Sequence, residues 1–331
     1  MISYPAVLDC PWELFWWVVK LLTAHRKILG TRRGVRVLSS YMQAKMVLRR
    51  LRDRPDLASL ARDFGVSLAT AQRYCAEGIK VLADQAPDLQ DLIKRAADEG
   101  WAYTIVDGTL IPGYRVASKA DKYREAAKLA EIRGEPVPES ARKQISEEDL
   151  AVDPDDQVTD KPLSKTKIDL MKNACRADWY NDPTYSGKHH DHGMNIQVAS
   201  GPSGKAAYIS EATAGRVYDS KAAEAAGLPG ALAQTDRATL ADLAYISIDG
   251  WQTPIKKKKG GELTDAEHQH NRSFSKRRCA IERGMWLLKG HWRILQFNPG
   301  NPSETAELAR ACLVLNHFLD GSFRTPLRHA A

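Results

Sequence analysis

Three carboxylates, Asp107, Asp242 and Glu282, occur in settings that could support metal-assisted chemistry. Asp107 closes a short apolar run, Asp242 lies among small and apolar residues, and Glu282 lies within a basic helical stretch. Neighbouring carboxylates stay ionised when a cation neutralises them, and their oxygens suit Mg²⁺ or Mn²⁺. Two such ions can clamp the attacking and leaving oxygens of a phosphodiester displacement. The structural alternative is that Asp107 caps a turn, Asp242 caps a helix and Glu282 forms a surface ion pair.

The elements that would position these acids begin at Trp101, where the residue pattern changes period. Two adjacent strands are predicted on either side of an Asp107-Gly108 turn, over 101–107 and 110–116. Two more strands are predicted over 194–199 and 206–210. Helices are predicted over 220–226 and 267–288. Strands followed by helices, with acids at strand ends, indicate an α/β domain.

Residues 8–100 are predicted to be helical, and residues 57–82 have the pattern of a helix-turn-helix. One helix would end at Gly65, Val66 would fill the turn, and Ser67 would cap the next helix. This second helix leaves polar side chains free to face DNA: Thr70, Gln72 and Arg73. A structural corner between two helices, with its arginine solvated, gives the same pattern.

The distribution of charge predicts a polyanionic partner. The 331-residue chain has 43% hydrophobic residues, a net charge of +7 and a sequence pI near 9.1. Residues 20–54 contain eleven Lys and Arg against one acid, and residues 252–294 contain eleven against four. The second segment includes Lys256 and Lys257, in a run of four lysines before two glycines, which suits a flexible loop that contacts phosphates.

The cysteines and histidines favour neither a disulfide framework nor a zinc site. The five cysteines are far apart and form no CxxC pair, as expected for a reduced, cytoplasmic protein. Three histidines close in sequence, His189, His190 and His192, could bind zinc with Cys175, but their interleaving with charged residues is more typical of a phosphate-facing loop. The apolar stretch 12–22 is interrupted by charges, so we interpret it as a core helix rather than a membrane span.

Several motifs occur in an order that resembles DDE-type transposases of bacterial insertion sequences, whose eukaryotic relatives are the Harbinger-like elements. The first motif runs from Tyr185 to Gln197, the second is Asp242-Leu243-Ala244-Tyr245, and the third combines Asn271 with residues 278–283 and 287–293. The resemblance departs from the family pattern at Ala244, where glycine is usual, and in a long charged segment over 118–179 that we interpret as an insertion.

The resemblance implies a ribonuclease-H-like catalytic domain over 101–331, preceded by an all-α helix-turn-helix DNA-binding domain over 1–100. Asp107 would lie on the first strand, Asp242 after a later strand and Glu282 on a helix that closes the site. Asp219 matches an acidic position that accompanies this triad, and we expect it to support the site or to cap the following helix rather than to bind metal directly. Other residues receive roles in binding DNA or supporting the site: Lys188, Arg278, Lys289, Arg293, Tyr245 and His192. Lys289 and Arg293 are expected on the same helical face as Glu282.

The function implied is transposition. The triad would bind two Mg²⁺ or Mn²⁺ ions that activate water to cut double-stranded DNA at the terminal inverted repeats, and the freed 3′-hydroxyl would attack target DNA. A homo-oligomer, associated with the nucleoid and with no membrane, is expected because two ends react together. One alternative is a catalytically inactive or domesticated DNA-binding regulator on the same fold. Another is a ribonuclease or resolvase.

Overall fold

The structure is a computed structural model, and it describes residues 8–32, 34–113, 182–298 and 300–322. The insertion predicted over 118–179 lies outside the described residues, as does Cys175. Within the described parts of the chain, no helix is both long and apolar enough to cross a membrane.

Helices form the N-terminal part of the chain. They are α1 (Trp12–Ile28), α2 (Ser40–Asp53), α3 (Leu57–Phe64), α4 (Leu68–Ala83) and α5 (Leu89–Asp98). Side chains of Ser39, Asp56, Ser67 and Asp88 cap α2 to α5 by accepting backbone N–H bonds. The core helix predicted over 12–22 is confirmed as α1. The corner predicted at Gly65 is also present, because this glycine adopts the left-handed conformation that ends α3. Its role in binding DNA stays a prediction.

A mixed sheet follows, and it carries the candidate site. Its strands are β1 (Tyr103–Pro112), β2 (Tyr185–Ser186), β3 (Asp191–Ser200), β4 (Ala206–Ile209), β5 (Thr213–Ala214), β6 (Ala238–Leu240) and β7 (Trp251–Gln252). The order of the main path is β2-β3-β1-β6-β7, with β4 and β5 also paired to β3. β3 is antiparallel to β1, whereas β6 is parallel to β1 and to β7.

Four further helices cover the sheet within the described residues. Short helices α6 (Asp219–Ala225) and α7 (Leu228–Leu232) precede β6, and long helices α8 (Asp265–His291) and α9 (Pro302–Leu319) end the described chain. Both long helices begin with a capping box. A mixed sheet with these helices is compatible with a ribonuclease-H-like domain.

Two apolar layers pack on opposite faces of the sheet because side chains alternate along β1. Ile105 belongs to a core shared with α8, α9 and the N-terminal helices α1 to α4. Val106 belongs to a second core, shared with α5 and α7. The N-terminal helices therefore share a hydrophobic core with the α/β part, and the domain division at residue 100 remains a prediction.

The hairpin predicted around Asp107-Gly108 is wrong. One continuous strand, β1, passes through both residues, and Asp107 lies in its middle rather than at its end. The reason is the partner strand, which pairs with β1 in unbroken register from Ile105 to Pro112 and holds Gly108 extended opposite Gln197. An Asp-Gly pair favours a turn only when no neighbouring strand stabilises the extended backbone.

Candidate active site

Asp107 lies on the face of β1 that α8 covers. Its side chain is on the same side as that of Ile105, and the residue is only 6% exposed. Its Oδ1 accepts a bond from the Gly108 N–H at 2.9 Å, and its Oδ2 accepts a bond from Arg278 at 2.8 Å. Burial raises the pKa of Asp107 to about 6, although the Arg278 charge opposes this shift. The carboxylate is therefore fixed in place and largely shielded from bulk solvent.

Glu282 reaches the same place because α8 presents Arg278 and Glu282 on one face, four residues apart. Arg278 donates one Nη to Asp107 and the other to Oε1 of Glu282. One guanidinium therefore joins two carboxylates that are far apart in the sequence. The Glu282 side chain is 52% exposed, so it lies at the solvent edge of the site.

Asp219 and Asp242 form the other half of the site, joined by Lys188. The Lys188 Nζ lies 2.9 Å from Oδ2 of Asp219 and 3.7 Å from Oδ2 of Asp242. Burial lowers the pKa of Lys188, but its bond to Asp219 and the nearby acids together raise it above its ordinary value. Asp242 follows β6, as predicted, and its Oδ1 accepts the Ala244 N–H at 2.8 Å to cap a short 3-10 helix. Asp242 therefore caps the 3-10 helix with one carboxylate oxygen and faces Lys188 with the other.

The two halves are electrostatically connected. The negative charges of Asp242 and Asp219 raise the pKa of Asp107, and the charge of Lys188 lowers it. Four carboxylates thus face two cations, Lys188 and Arg278, which leaves a formal excess of two negative charges when all four acids are ionised. Within the described residues, no group of three or more His, Cys, Asp or Glu is already arranged to hold a metal ion.

A chain of buried hydrogen bonds holds Asp219. Asn195 donates to Oδ1 of Asp219 at 2.7 Å, and Gln197 donates to Oδ1 of Asn195 at 3.2 Å. The Tyr245 hydroxyl donates to Oε1 of Gln197 at 2.5 Å. Burial, followed by the charges of Asp219 and Asp107, raises the pKa of Tyr245, so its hydroxyl remains a donor. Tyr245 therefore has a supporting position behind the acids.

Asn195 and Gln197 were not assigned a role from the sequence, although both lie in the first motif. Their signal is periodic: they are polar residues two apart in the otherwise apolar stretch 194–199, so they share one face. Buried polar side chains on one face of a strand need partners, and here the partner is a carboxylate.

Gly108 lets Asp219 approach β1. A Cβ at this glycine would lie 2.4 Å from Oδ1 of Asp219 and 3.0 Å from Nε2 of Gln197. A side chain at residue 108 would therefore displace the carboxylate or its hydrogen-bond network.

Arg293 does not lie on the helical face of Glu282, and that part of the prediction is wrong. α8 ends at His291, where the buried Trp292 turns the chain, and Arg293 begins a short 3-10 helix. Lys289 remains on α8, and its Nζ donates to Oγ1 of Thr109 at 2.7 Å and to the Leu110 carbonyl at 2.9 Å. Burial lowers the pKa of Lys289 to about 8. Its observed contacts tie α8 to β1 next to Asp107, and its predicted contact with DNA remains untested.

His192 lies at the start of β3 and is buried. Its Nδ1 lies 3.0 Å from the Thr184 hydroxyl, and its ring packs edge-on against Tyr185. These contacts position the chain that leads to Lys188, which is consistent with a supporting role.

Two other regions predicted to contact DNA lie outside this acid cluster. Lys256 and Lys257 are exposed in the loop before α8, and Asn271 of that helix holds Ile255 through bonds of 2.8 and 3.0 Å. On α4, Gln72 and Arg73 are exposed and Thr70 is half-buried. Beside α4 is a cleft of about 450 Å³ that is also lined by Val35, Arg36 and Val37.

Comparison with known protein families gives one result that bears on this geometry. Residues 167–317 match the model of the DDE superfamily endonucleases. The match covers a little under half of the chain, and it includes Lys188, Asp219, Asp242 and Glu282. Asp107 precedes the matched segment but joins it in space through Arg278. The match supports a DDE-type transposase family. No curated protein and no solved structure matches the chain.

Proposed function

We propose that this protein is a DNA transposase that hydrolyses phosphodiesters at element ends and transfers the freed 3′-hydroxyl to target DNA. The observation that carries the proposal is the pairing of acids by shared cations: Arg278 joins Asp107 to Glu282, and Lys188 joins Asp219 to Asp242. The match to the DDE superfamily endonucleases supports a transposase-like nuclease that acts on DNA. Strand transfer rests on the motif resemblance.

The acid cluster fits hard divalent cations. Its donors are carboxylate oxygens, its formal charge is negative by two, and its most buried member, Asp107, has a raised pKa that a further cation would lower. Asp107, Asp242 and Glu282 would hold two Mg²⁺ or Mn²⁺ ions. When bound, these ions would supply charge stabilisation at the scissile phosphate and activation of water.

The protein's own side chains have three tasks in this proposal. Arg278 and Lys188 keep the acids together in the structure, and both can pair with phosphate oxygens when the acids bind metal. The network from Tyr245 through Gln197 and Asn195 fixes Asp219. Lys289 holds Thr109 and Leu110, so the backbone beside Asp107 is kept in place. Catalysis would come from positioning and charge neutralisation.

Two further surfaces would contact DNA. Gln72 and Arg73 are exposed on α4, and in this proposal α4 would act as the recognition helix that presents them to the major groove. The exposed lysine loop that begins at Lys256 supplies positive charge next to α8. Two ends reacting together would require a homo-oligomer.

The direct test is cleavage of DNA that carries the ends of the element encoding this chain. Purified full-length protein is incubated with this DNA and Mg²⁺, and nicking and joining are followed on gels. Asp107→Asn, Asp242→Asn and Glu282→Gln should each abolish both products, since each removes a charged ligand without changing the size of the side chain. Full activity in any of these variants would remove that residue from the mechanism.

Matched controls are available at exposed acids away from the cluster. Asp249→Asn and Glu262→Gln change the same chemical groups at exposed positions and should cut DNA like the parent. If the parent binds DNA without metal and does not nick it in the presence of any divalent ion, the protein is a DNA-binding regulator rather than a nuclease. Preferential cutting of RNA over duplex DNA would instead indicate a ribonuclease.

A further inference from the structure

A cavity of about 590 Å³ opens beside the acid cluster. Asp219 is part of its wall, and the same carboxylate is joined to Asp242 through Lys188. A group bound in the cavity would therefore lie next to the acids proposed to cut DNA.

The wall of the cavity combines three kinds of surface. Tyr218 contributes an aromatic ring, and this residue is 80% exposed. Leu110, Val217 and Ala244 contribute apolar groups, and Lys188 and Arg216 contribute positive charge. The one acid in the wall, Asp219, is already bonded to Lys188 and Asn195. These surfaces suit a ligand in which a flat aromatic ring is joined to a negatively charged group.

The shape of the wall is fixed by the packing behind it. Gly215 lies so close to neighbouring backbone that an added Cβ would be 2.4 Å from the Thr184 carbonyl oxygen. Buried Ser186 and Asn195 form polar parts of the wall. The inner wall of the cavity is therefore tightly packed, whereas Tyr218 lies at its solvent edge.

We propose that this cavity binds one unpaired nucleotide of the DNA strand, with its base against Tyr218 and its phosphate near Lys188 and Arg216. The proposal rests on the function proposed above and adds a site to it. A base in a duplex is paired and stacked, so only a nucleotide outside the duplex can enter a cavity of this kind. Stacking on an aromatic ring offsets part of the cost of unstacking and tolerates any base. The adjoining phosphodiester would then lie at the acids.

The test measures binding without cleavage. Full-length protein in EDTA is titrated into a fluorescent short duplex with a single-stranded thymidine overhang, and into the same duplex with an abasic overhang or a blunt end. The thymidine overhang should bind about tenfold more tightly than the abasic one, because only thymidine can stack. Tyr218→Leu should remove this preference and leave binding to the blunt duplex unchanged. Tyr218→Phe should keep the preference.

A second exposed aromatic residue provides the matched control. Trp286 is 72% exposed and is not part of the cavity wall, so Trp286→Leu should keep the preference for thymidine. Equal binding of thymidine and abasic overhangs by the parent, or a preference that survives Tyr218→Leu, overturns the proposal. So does failure to bind any probe. Because no cutting is measured, an intact preference in a protein that never cleaves DNA would reject the nuclease function and retain the nucleotide site.

Discussion

Asp107 and Arg278 form a 2.8 Å ion pair that joins the middle of β1 to α8, although the two residues are 171 positions apart. The second nitrogen of the same guanidinium binds Glu282, so the strand and the helix are held together at the acids. The ion pair has an electrostatic consequence, since the Arg278 charge opposes the effect of burial on Asp107. Removing the guanidinium should therefore make Asp107 harder to ionise.

Arg278→Gln should raise the pKa of Asp107 above its value of about 6 in the metal-free protein. The measurement is an NMR titration of the labelled Asp107 carboxyl carbon in EDTA. Arg62→Gln provides the control, because Arg62 is exposed on α3 and should leave the Asp107 titration unchanged. An unchanged midpoint in Arg278→Gln would show that the ion pair is not formed in solution.

The second prediction concerns how the free energy of unfolding depends on pH. Its sign follows from whether the folded or the unfolded state binds the Asp107 proton more tightly. The folded-state pKa of Asp107 is about 6, above the ordinary value of 3.8 for an aspartate side chain, so the folded state binds the proton more tightly. The contribution of Asp107 to the free energy of unfolding should therefore decrease as the pH rises from 3.8 to about 6. A shift of this size corresponds to about 3 kcal/mol at most.

Urea unfolding of the parent and of Asp107→Asn across this pH range isolates the contribution of Asp107 to the free energy of unfolding. Other acids have lowered pKa values and act in the opposite direction, but they are common to both proteins and cancel in the difference. The stability of Asp107→Asn relative to the parent should increase as the pH rises. A difference that stays constant with pH would contradict the raised pKa.

Gly108→Ala tests the close approach of Asp219 to β1. The added Cβ would lie 2.4 Å from Oδ1 of Asp219, so the carboxylate must shift. We expect a loss of about 1–3 kcal/mol in the free energy of unfolding and at least about a tenfold loss of cleavage activity. Gly230→Ala is the control, since its Cβ would have nothing within 4 Å. Normal activity in Gly108→Ala would show that the position of Asp219 does not matter.

The features that the sequence predicted well are specified by nearby residues. The corner between α3 and α4 depends on Gly65, which ends α3, and on Ser67, which caps α4 two residues later. Glu282 was expected on a helix, and that helix begins with a local capping box at Thr264 and Glu267. Local signals of this kind act through backbone hydrogen bonds between neighbours, so a single sequence reveals them.

The features that the sequence did not reveal depend on distant residues. Asp107-Gly108 is extended because β3, which begins almost eighty residues after β1 ends, pairs with it. The pairing of Lys188 with Asp219 and Asp242 likewise joins a loop to two separate elements. No local pattern specifies which strand or which cation will be the partner, because that choice depends on how the whole sheet assembles.

Tyr245→Phe tests the network that holds Asp219. Loss of the hydroxyl leaves Oε1 of the fully buried Gln197 without its donor, which should cost about 1–3 kcal/mol in the free energy of unfolding. Cleavage at saturating DNA should also decrease, while DNA affinity in EDTA should not change, because Tyr245 is buried. Tyr41→Phe, at a half-exposed tyrosine of α2, should change neither quantity. If Tyr245→Phe and Tyr41→Phe have the same free energy of unfolding and the same cleavage activity, the network has no role in stability or cleavage.

The exposed side chains of α4 give the last prediction, which concerns DNA affinity. Arg73 is exposed and carries a positive charge on the helix proposed to face DNA, whereas Arg62 is exposed on α3. If Arg73 contacts a phosphate, Arg73→Ala should weaken binding and lower the slope of log affinity against log salt by about 0.9. Arg62→Ala serves as the matched control and should leave that slope unchanged. The measurement is fluorescence anisotropy with duplex DNA in EDTA over a series of salt concentrations. Since removing any phosphate contact must reduce counterion release, an unaltered slope in Arg73→Ala would show that Arg73 makes no phosphate contact.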